Sequence, residues 1–184
     1  MKYLVFVLCC LFLSGCEKND DALVELLSFR EQIQSQSFRF DANITADYGD
    51  ELHNFCMLCE FNKEGDMNFT VLEPESISMI TGSISNHGAQ LTFDDKILAF
   101  EMLADGQITP VTAPWILIKT LKSGYINSYG EIGNEMLVKI DDSYESEPFY
   151  TDISFSEANM PKRGEIIWQG RRILCVEIEN FAFL

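Results

Sequence analysis

Residues 38–46 read Phe38-Arg39-Phe40-Asp41-Ala42-Asn43-Ile44-Thr45-Ala46. Apolar and polar residues alternate without a break, the period of a strand with one dry and one wet face. Working outward, Tyr48-Gly49-Asp50 supplies a turn. Residues 52–61 form the next strand, with Phe55, Met57, Cys59 and Phe61 on one face and Cys56 and Leu58 on the other. Lys63-Glu64-Gly65-Asp66 is a hairpin signal, and Met67, Phe69 and Val71 alternate again until Pro74 ends the run. Short strands are expected at 79–84, 89–93 and 97–102, separated by Asn86-His87-Gly88 and Asp94-Asp95. Five more follow at 125–129, 135–140, 149–155, 165–169 and 172–178, the last two joined through Gln169-Gly170-Arg171.

Two stretches break the period of two. In 22–35, Leu23, Leu26, Leu27 and Ile33 form a stripe at helical spacing, with Asp20 or Asp21 as cap. In 109–123, a Thr/Pro cluster precedes Trp115-Ile116-Leu117-Ile118. Pro114 in a first turn and Gly124 just past the end suit a helix, and a strand is the competing reading for 115–118. Ten or so consecutive antiparallel strands with two helices point to one strongly curved sheet in a single α+β domain.

The chain has 184 residues, 29 Asp+Glu against 13 Lys+Arg, a formal charge of −16 and 47% hydrophobic residues. Its apolar content is too high for a disordered chain. Its acidity repels phosphate backbones, so nucleic acid is excluded as a partner. Six cysteines in this length do not make a disulfide framework.

At the N-terminus, Lys2 is followed by an unbroken apolar run from Tyr3 to Leu13. The run is too short for an ordinary spanning helix, which needs ~20 residues. It has the length of a signal-peptide core. Leu13-Ser14-Gly15-Cys16 comes next and resembles the bacterial lipobox, in which small residues admit a peptidase and the Cys16 thiolate accepts a diacylglyceryl group. A plain secretory signal with an incidental cysteine and a buried core strand are the alternatives. The expected organisation is a lipoprotein signal peptide (1–15), a short lipidated tether (16–21) and one domain (22–184). The mature side-chain charge becomes 12 − 29 = −17 after loss of Lys2. Such an acidic exterior does not adsorb to anionic lipid, so the expected location is extracytoplasmic, on the outer face of the cell membrane, held through Cys16.

Chemical motifs are sparse. Cys56-Met57-Leu58-Cys59 is a CxxC, but it lies mid-strand, where residues three apart point to opposite faces and sit ~10 Å apart. Plain buried thiols are the favoured reading, with a bridge from Cys56 or Cys59 to Cys175 as the alternative. His53, Cys56, Cys59 and Cys175 match a zinc set on paper, yet a strand cannot converge them without a bulge. There is no GxSxG, P-loop or GxGxxG. The acidic pairs Asp94/Asp95, Asp141/Asp142 and Glu145/Glu147 fall in turns. No catalytic residue, metal or cofactor is therefore expected, and the chain reads as non-enzymatic.

Fourteen Phe is a high count. Phe38, Phe40, Phe55, Phe61, Phe69 and Phe93 fall on the apolar faces of successive strands. The same faces would serve an ordinary core or a lined cavity, and Phe38, Phe40, Phe55, Met57, Phe69 and Phe93 are the candidate lining.

The element order and the closing hairpin, Gly164-Glu165-Ile166-Ile167-Trp168-Gln169-Gly170-Arg171-Arg172-Ile173-Leu174-Cys175-Val176-Glu177-Ile178-Glu179-Asn180-Phe181, resemble the outer-membrane lipoprotein carrier superfamily (LolA/LolB/LppX-like), as a bacterial lipoprotein member. The resemblance spans most of residues 22–183. It implies an unclosed antiparallel half-barrel of about ten or eleven strands, capped by an N-terminal and a central helix, whose concave face accommodates acyl chains. Germination lipoproteins of the GerS-like type, which the chain also resembles, act as partner-binding adaptors. Two roles are thus expected: binding of an acyl chain, another apolar ligand or a lipoprotein on the concave face, or docking of an envelope protein with no lipid ligand. The arginine that governs opening in the carriers has no assignable counterpart, because Arg39 falls on the polar face of its strand.

Overall fold

The structure is a computed structural model that describes residues 18–86, 88–92, 108–141, 149–157 and 159–184. Helix α1 spans Lys18–Ser35. Five strands follow: β1 Phe38–Asp47, β2 Leu52–Phe61, β3 Met67–Glu73, β4 Thr81–Ser85 and β5 Gly88–Thr92. Helix α2 is Ala113–Ser123, and β6 Tyr125–Ile132, β7 Glu135–Asp141, β8 Tyr150–Phe155, β9 Pro161–Trp168 and β10 Arg171–Phe183 complete the chain. The expected strand at 97–102, together with Phe93, His87, Cys16, Asp94/Asp95 and Glu145/Glu147, lies outside the described residues.

The ten described strands form one sheet in the order β5-β4-β3-β2-β1-β10-β9-β8-β7-β6, every neighbour antiparallel. β5 and β6 are its two edges, so the sheet is unclosed. Its middle joins the first strand to the last, with Ala42 opposite Ile178 and Ile44 opposite Val176. Gln169 and Gly170 both take positive φ (50° and 78°), the two-residue turn whose twist matches a hairpin.

The sheet curves around α2. Lys122, near the end of that helix, donates from Nζ to Lys63 O in the β2–β3 turn at 3.0 Å. Two residues later, a Cβ on Gly124 would sit 2.5 Å from Ile140 Cγ2 on β7. β2 and β7 are five places apart in the order, about 24 Å on a flat sheet at ~4.8 Å per strand. Only a curved sheet brings both to one helix end.

Several boundaries differ from the sequence reading. α1 starts at Lys18 rather than Ala22. Its buried face is Ala22, Leu26, Phe29 and Ile33, and Leu27 turns outward at 46% exposure. The 4-3-4 spacing of those four residues centres the face more than 100° from Leu27 on a helix of 3.6 residues per turn. β9 begins at Pro161, a proline tolerated because it occupies the first position of its strand. The competing reading of 115–118 resolves as helix.

Candidate functional site: the aromatic concave face

The inner face is a grid of apolar rows set by register. One row runs Ile84, Met67, Phe61, Phe38, Phe183 across β4, β3, β2, β1 and β10. The next runs Gly82, Phe69, Cys59, Phe40, and a third Val71, Met57, Ala42, Ile178. Period-two alternation along each strand puts these residues on one side. Of the candidate lining, Phe38, Phe40, Met57 and Phe69 therefore converge here. Phe55 lies opposite Ile44 on the same face, half-buried against the core.

Rings meet across these rows. Phe38 stacks on Phe61 at 4.9 Å and on Phe181 at 5.3 Å between centroids. Phe40 stacks on Phe61 at 5.6 Å and on Phe181 at 5.9 Å. Phe29 of α1 completes the cluster, edge-on to Phe155 at 5.5 Å. Offset and edge contacts at such distances are the favoured aromatic geometries.

Phe29, Phe155, Phe181 and Phe183 were not among the residues the sequence singled out. Glu179 lies opposite Asp41 on the outer face, and strict alternation would send Phe181 outward with it. A bulge intervenes: the register shifts between Arg39 and Asp41, and Asn180 adopts φ 52°. One extra residue flips Phe181 and Phe183 inward. Asn180 also donates from Nδ2 to Asp41 Oδ2 at 2.7 Å. The available signal was the asparagine itself, which tolerates the left-handed region better than most residues.

α2 fills the hollow of the sheet. Ala113, Pro114, Leu117, Ile118, Thr120 and Leu121 are buried. Gly164 of β9 makes room for Leu117, since a Cβ there would lie 2.5 and 2.8 Å from its two methyls. Four side chains lash the helix to its surroundings. Trp115 donates from Nε1 to Gly65 O (3.2 Å), and Lys122 to Lys63 O as above. Arg30 of α1 donates to Gly124 O (3.1 Å), and Gln34 donates to Lys122 O (2.9 Å). The last two satisfy carbonyls at the α2 C-terminus, where cations are also favoured by the helix dipole. Burial pushes the Arg30 pKa down, and it does the same to Lys122 against the opposing pull of Glu64 and Asp66.

Consequently four of the six candidate lining residues are buried in the core. Phe38 and Met57 are 0% exposed, Phe40 1% and Phe69 3%. Two described grooves open mainly between polar side chains, and one of them also touches Phe69. One of about 340 Å³ opens between the outward-facing Glu60, Asn68, Thr70, Thr81 and Ser83. A second, about 490 Å³, runs beside Ser154, Lys162, Arg163, Glu177 and Glu179. Ligand pockets for apolar molecules are mostly apolar in lining, and neither groove fits that description.

Among the described residues the remaining sequence candidates do not come together in one cluster. Cys56, Cys59 and Cys175 are free thiols. Cys56 is opposite Asn43 and Cys175 belongs opposite Thr45, so β1 separates them by two strand spacings, ~10 Å, beyond disulfide reach. Burial pushes the Cys59 thiol far up, and it raises Cys56 together with Glu73, Asp41 and Glu179. Burial likewise raises Cys175, against the pull of Arg163. These shifts are opposite to the activation a redox cysteine needs. His53 is an exposed residue bonded to Glu51 at 3.2 Å. Among the described residues no three His, Cys, Asp or Glu side chains are placed to hold a metal ion. Arg39 is exposed on the outer face. No described helix is long and apolar enough to cross a membrane.

No family model and no curated protein matches this chain. Solved structures are similar to it at low identity. An uncharacterized conserved protein from Thermus thermophilus is 12% identical, covering 89% of this chain and 88% of its own, at a TM-score of 0.47. A LolA superfamily protein from Nitrosomonas europaea is 9% identical over 86% of this chain and 93% of its own, at 0.45. MucB, in the MucA/MucB complex of Pseudomonas aeruginosa, is 12% identical over 89% of this chain and 57% of its own, at 0.41.

Proposed function

We propose that the protein is an extracytoplasmic lipoprotein, attached through diacylglyceryl-Cys16, whose domain acts as a non-enzymatic adaptor. On this reading it binds a protein partner through its surface. The observation that carries the proposal is the filled concave face. Phe38, Phe40, Met57 and Phe69 belong to one buried cluster, and Leu117 occupies the space left by Gly164. An acyl chain would have to displace α2 and break the four hydrogen bonds that tie it to the β2–β3 turn and α1. Each net bond is worth ~1 kcal/mol and the buried apolar residues of α2 more. Such a site would have to repay those losses before gaining any affinity.

Native mass spectrometry of the mature protein, released gently from membranes, tests both parts. The expected species carries the covalent diacylglyceryl mass and no further lipid. A second, non-covalent phospholipid bound in stoichiometric amount would reinstate the ligand reading, with Phe38, Phe40, Phe55, Met57, Phe69 and Phe93 as its lining. A mature chain lacking the covalent mass would remove the anchor.

A further inference from the structure

We infer that the α1 end of the domain is its membrane-facing surface, with Val24, Leu27 and Ile132 seated against the lipid headgroups. The inference rests on the anchor at Cys16 proposed above and adds an orientation to it. Only Glu17 separates Cys16 from the first residue of α1. Two peptide units span at most ~7 Å. A diacylglyceryl group on Cys16 therefore leaves no slack for the domain to tumble on a tether. It pins the start of α1 at the headgroup level.

α1 buries Ala22, Leu26, Phe29 and Ile33, so Val24 lies on the opposite side, 64% exposed, with Leu27 beside it. At 1.5 Å per residue, Val24 is about 9 Å and Leu27 about 14 Å along the axis from Lys18. The β6–β7 turn sits at the same end. Glu131, Gly133 and Asn134 share a groove of about 350 Å³ with Ala22 and Glu25. Between Glu131 and Gly133, Ile132 projects at 69% exposure. Val24 and Leu27 on α1 and Ile132 in the adjoining turn are thus large exposed apolar side chains on an otherwise acidic end. Large exposed aliphatics are the part of a surface that gains from entering an interface.

Glu25, Glu131 and Glu135 occupy the same end, and they repel anionic lipid. The contact is consequently imposed by the anchor and sustained by apolar burial, with charge opposing it. Leu52, 67% exposed at the start of β2, is the reference position: β1 carries the chain ten residues, about 30 Å at ~3.3 Å each, from the C-terminal end of α1 to the turn before it.

The test uses the full lipidated protein with benzoylphenylalanine placed at Val24, Leu27, Ile132 or Leu52, one site at a time. The proteins are reconstituted in phosphatidylcholine vesicles, and in vesicles that also contain phosphatidylglycerol, then irradiated. Phospholipid adducts are counted by mass on protein that has floated with vesicles. The expected result is several-fold more adduct at the first three sites than at Leu52. Phosphatidylglycerol should lower the yield and added salt should restore it. Equal yields at all four sites on floated, acylated protein would overturn the orientation while leaving the anchor intact. Protein that lacks the acyl mass and does not float would overturn the anchor and the orientation together. Because all four positions are solvent-exposed, folding is checked by unchanged thermal midpoints.

Discussion

Gly164→Ala tests the seating of α2 directly. The glycine carries no positive φ, so alanine fits its backbone, and the whole effect comes from the added methyl. That methyl would meet Leu117 Cδ1 at 2.5 Å, Cδ2 at 2.8 Å and Cγ at 3.2 Å. Carbon pairs settle at ~3.5–4.0 Å, so two contacts are about 1 Å too short. Leu117 is 2% exposed and cannot swing into solvent. Overpacking of this kind costs about 1–3 kcal/mol. For a domain of this size each kcal/mol lowers Tm by roughly 2–4 °C, giving a fall of about 2–12 °C. The assay is urea and thermal unfolding of four proteins in a double-mutant cycle. Leu117→Ala alone should cost about 2–5 kcal/mol through its cavity. In that background the added methyl has room, so Gly164→Ala should cost nothing and the pair should show a coupling of about 1–3 kcal/mol. A Gly164→Ala protein within ~0.5 kcal/mol of the parent, or strictly additive variants, would refute the claim that α2 fills the concave face.

Three further outcomes follow from geometry already described. Asn180→Val forces a β-branched residue to φ 52° and should cost about 1–3 kcal/mol, whereas Asn180→Gly should stay within ~1 kcal/mol; equal losses would mean that the lost bond to Asp41, and not the bulge, carries the effect. The thiol of Cys59 holds its proton more tightly folded than unfolded, so stability is fully present below the unfolded pKa of ~8.5 and falls as pH rises above it. Cys59→Ala should flatten that alkaline slope in urea titrations at pH 8 to 10, and an unchanged slope would assign it elsewhere. Arg30→Ala removes the donor to Gly124 O and should speed amide exchange in α2 by about tenfold, the equivalent of ~1.4 kcal/mol, with β3 and β4 unaffected. Uniform acceleration across the sheet would show that the bond supports the whole domain.

What could be read in advance depended on how local the signal was. β1 and β2 declare themselves by alternation, and Pro114 and Gly124 bracket α2 because each residue acts within its own turn. The bulge at Asn180 is different. A period-two reading of Glu177 to Phe181 assigns Phe181 to the outer face, and a single extra residue reverses it and everything after it. The outward turn of Leu27 escaped for a related reason. Leu26 and Leu27 are equivalent by hydropathy, and only the position of Phe29 decides between them. Whether the concave face is hollow or filled was not legible at all. Phe38, Phe40, Met57 and Phe69 look the same in either case, and the decision lies with Leu117 and Gly164, over forty residues apart in sequence. The early start of α1 was masked by the charged run Lys18-Asn19-Asp20-Asp21, which suits a surface helix turn as well as a loop.

The pairing of β1 with β10 at the centre of the sheet bears on how the chain is made. Phe38 and Phe183 are partners, and Leu184 donates its N–H to Ser37 O at 2.9 Å. Closing a loop of that length carries the largest entropic cost in the domain, and contacts this distant in sequence form slowly. The two flanks of the sheet, β1 to β5 and β6 to β9, can each assemble as successive hairpins, but no strand pairing joins them until β10 lies between β1 and β9. Under the export proposed above, a chain that crosses a membrane unfolded would gain from that order of events. β10 acts as a clasp between the two flanks, and removal of Arg171–Phe183 would leave two half-sheets with their central edges bare.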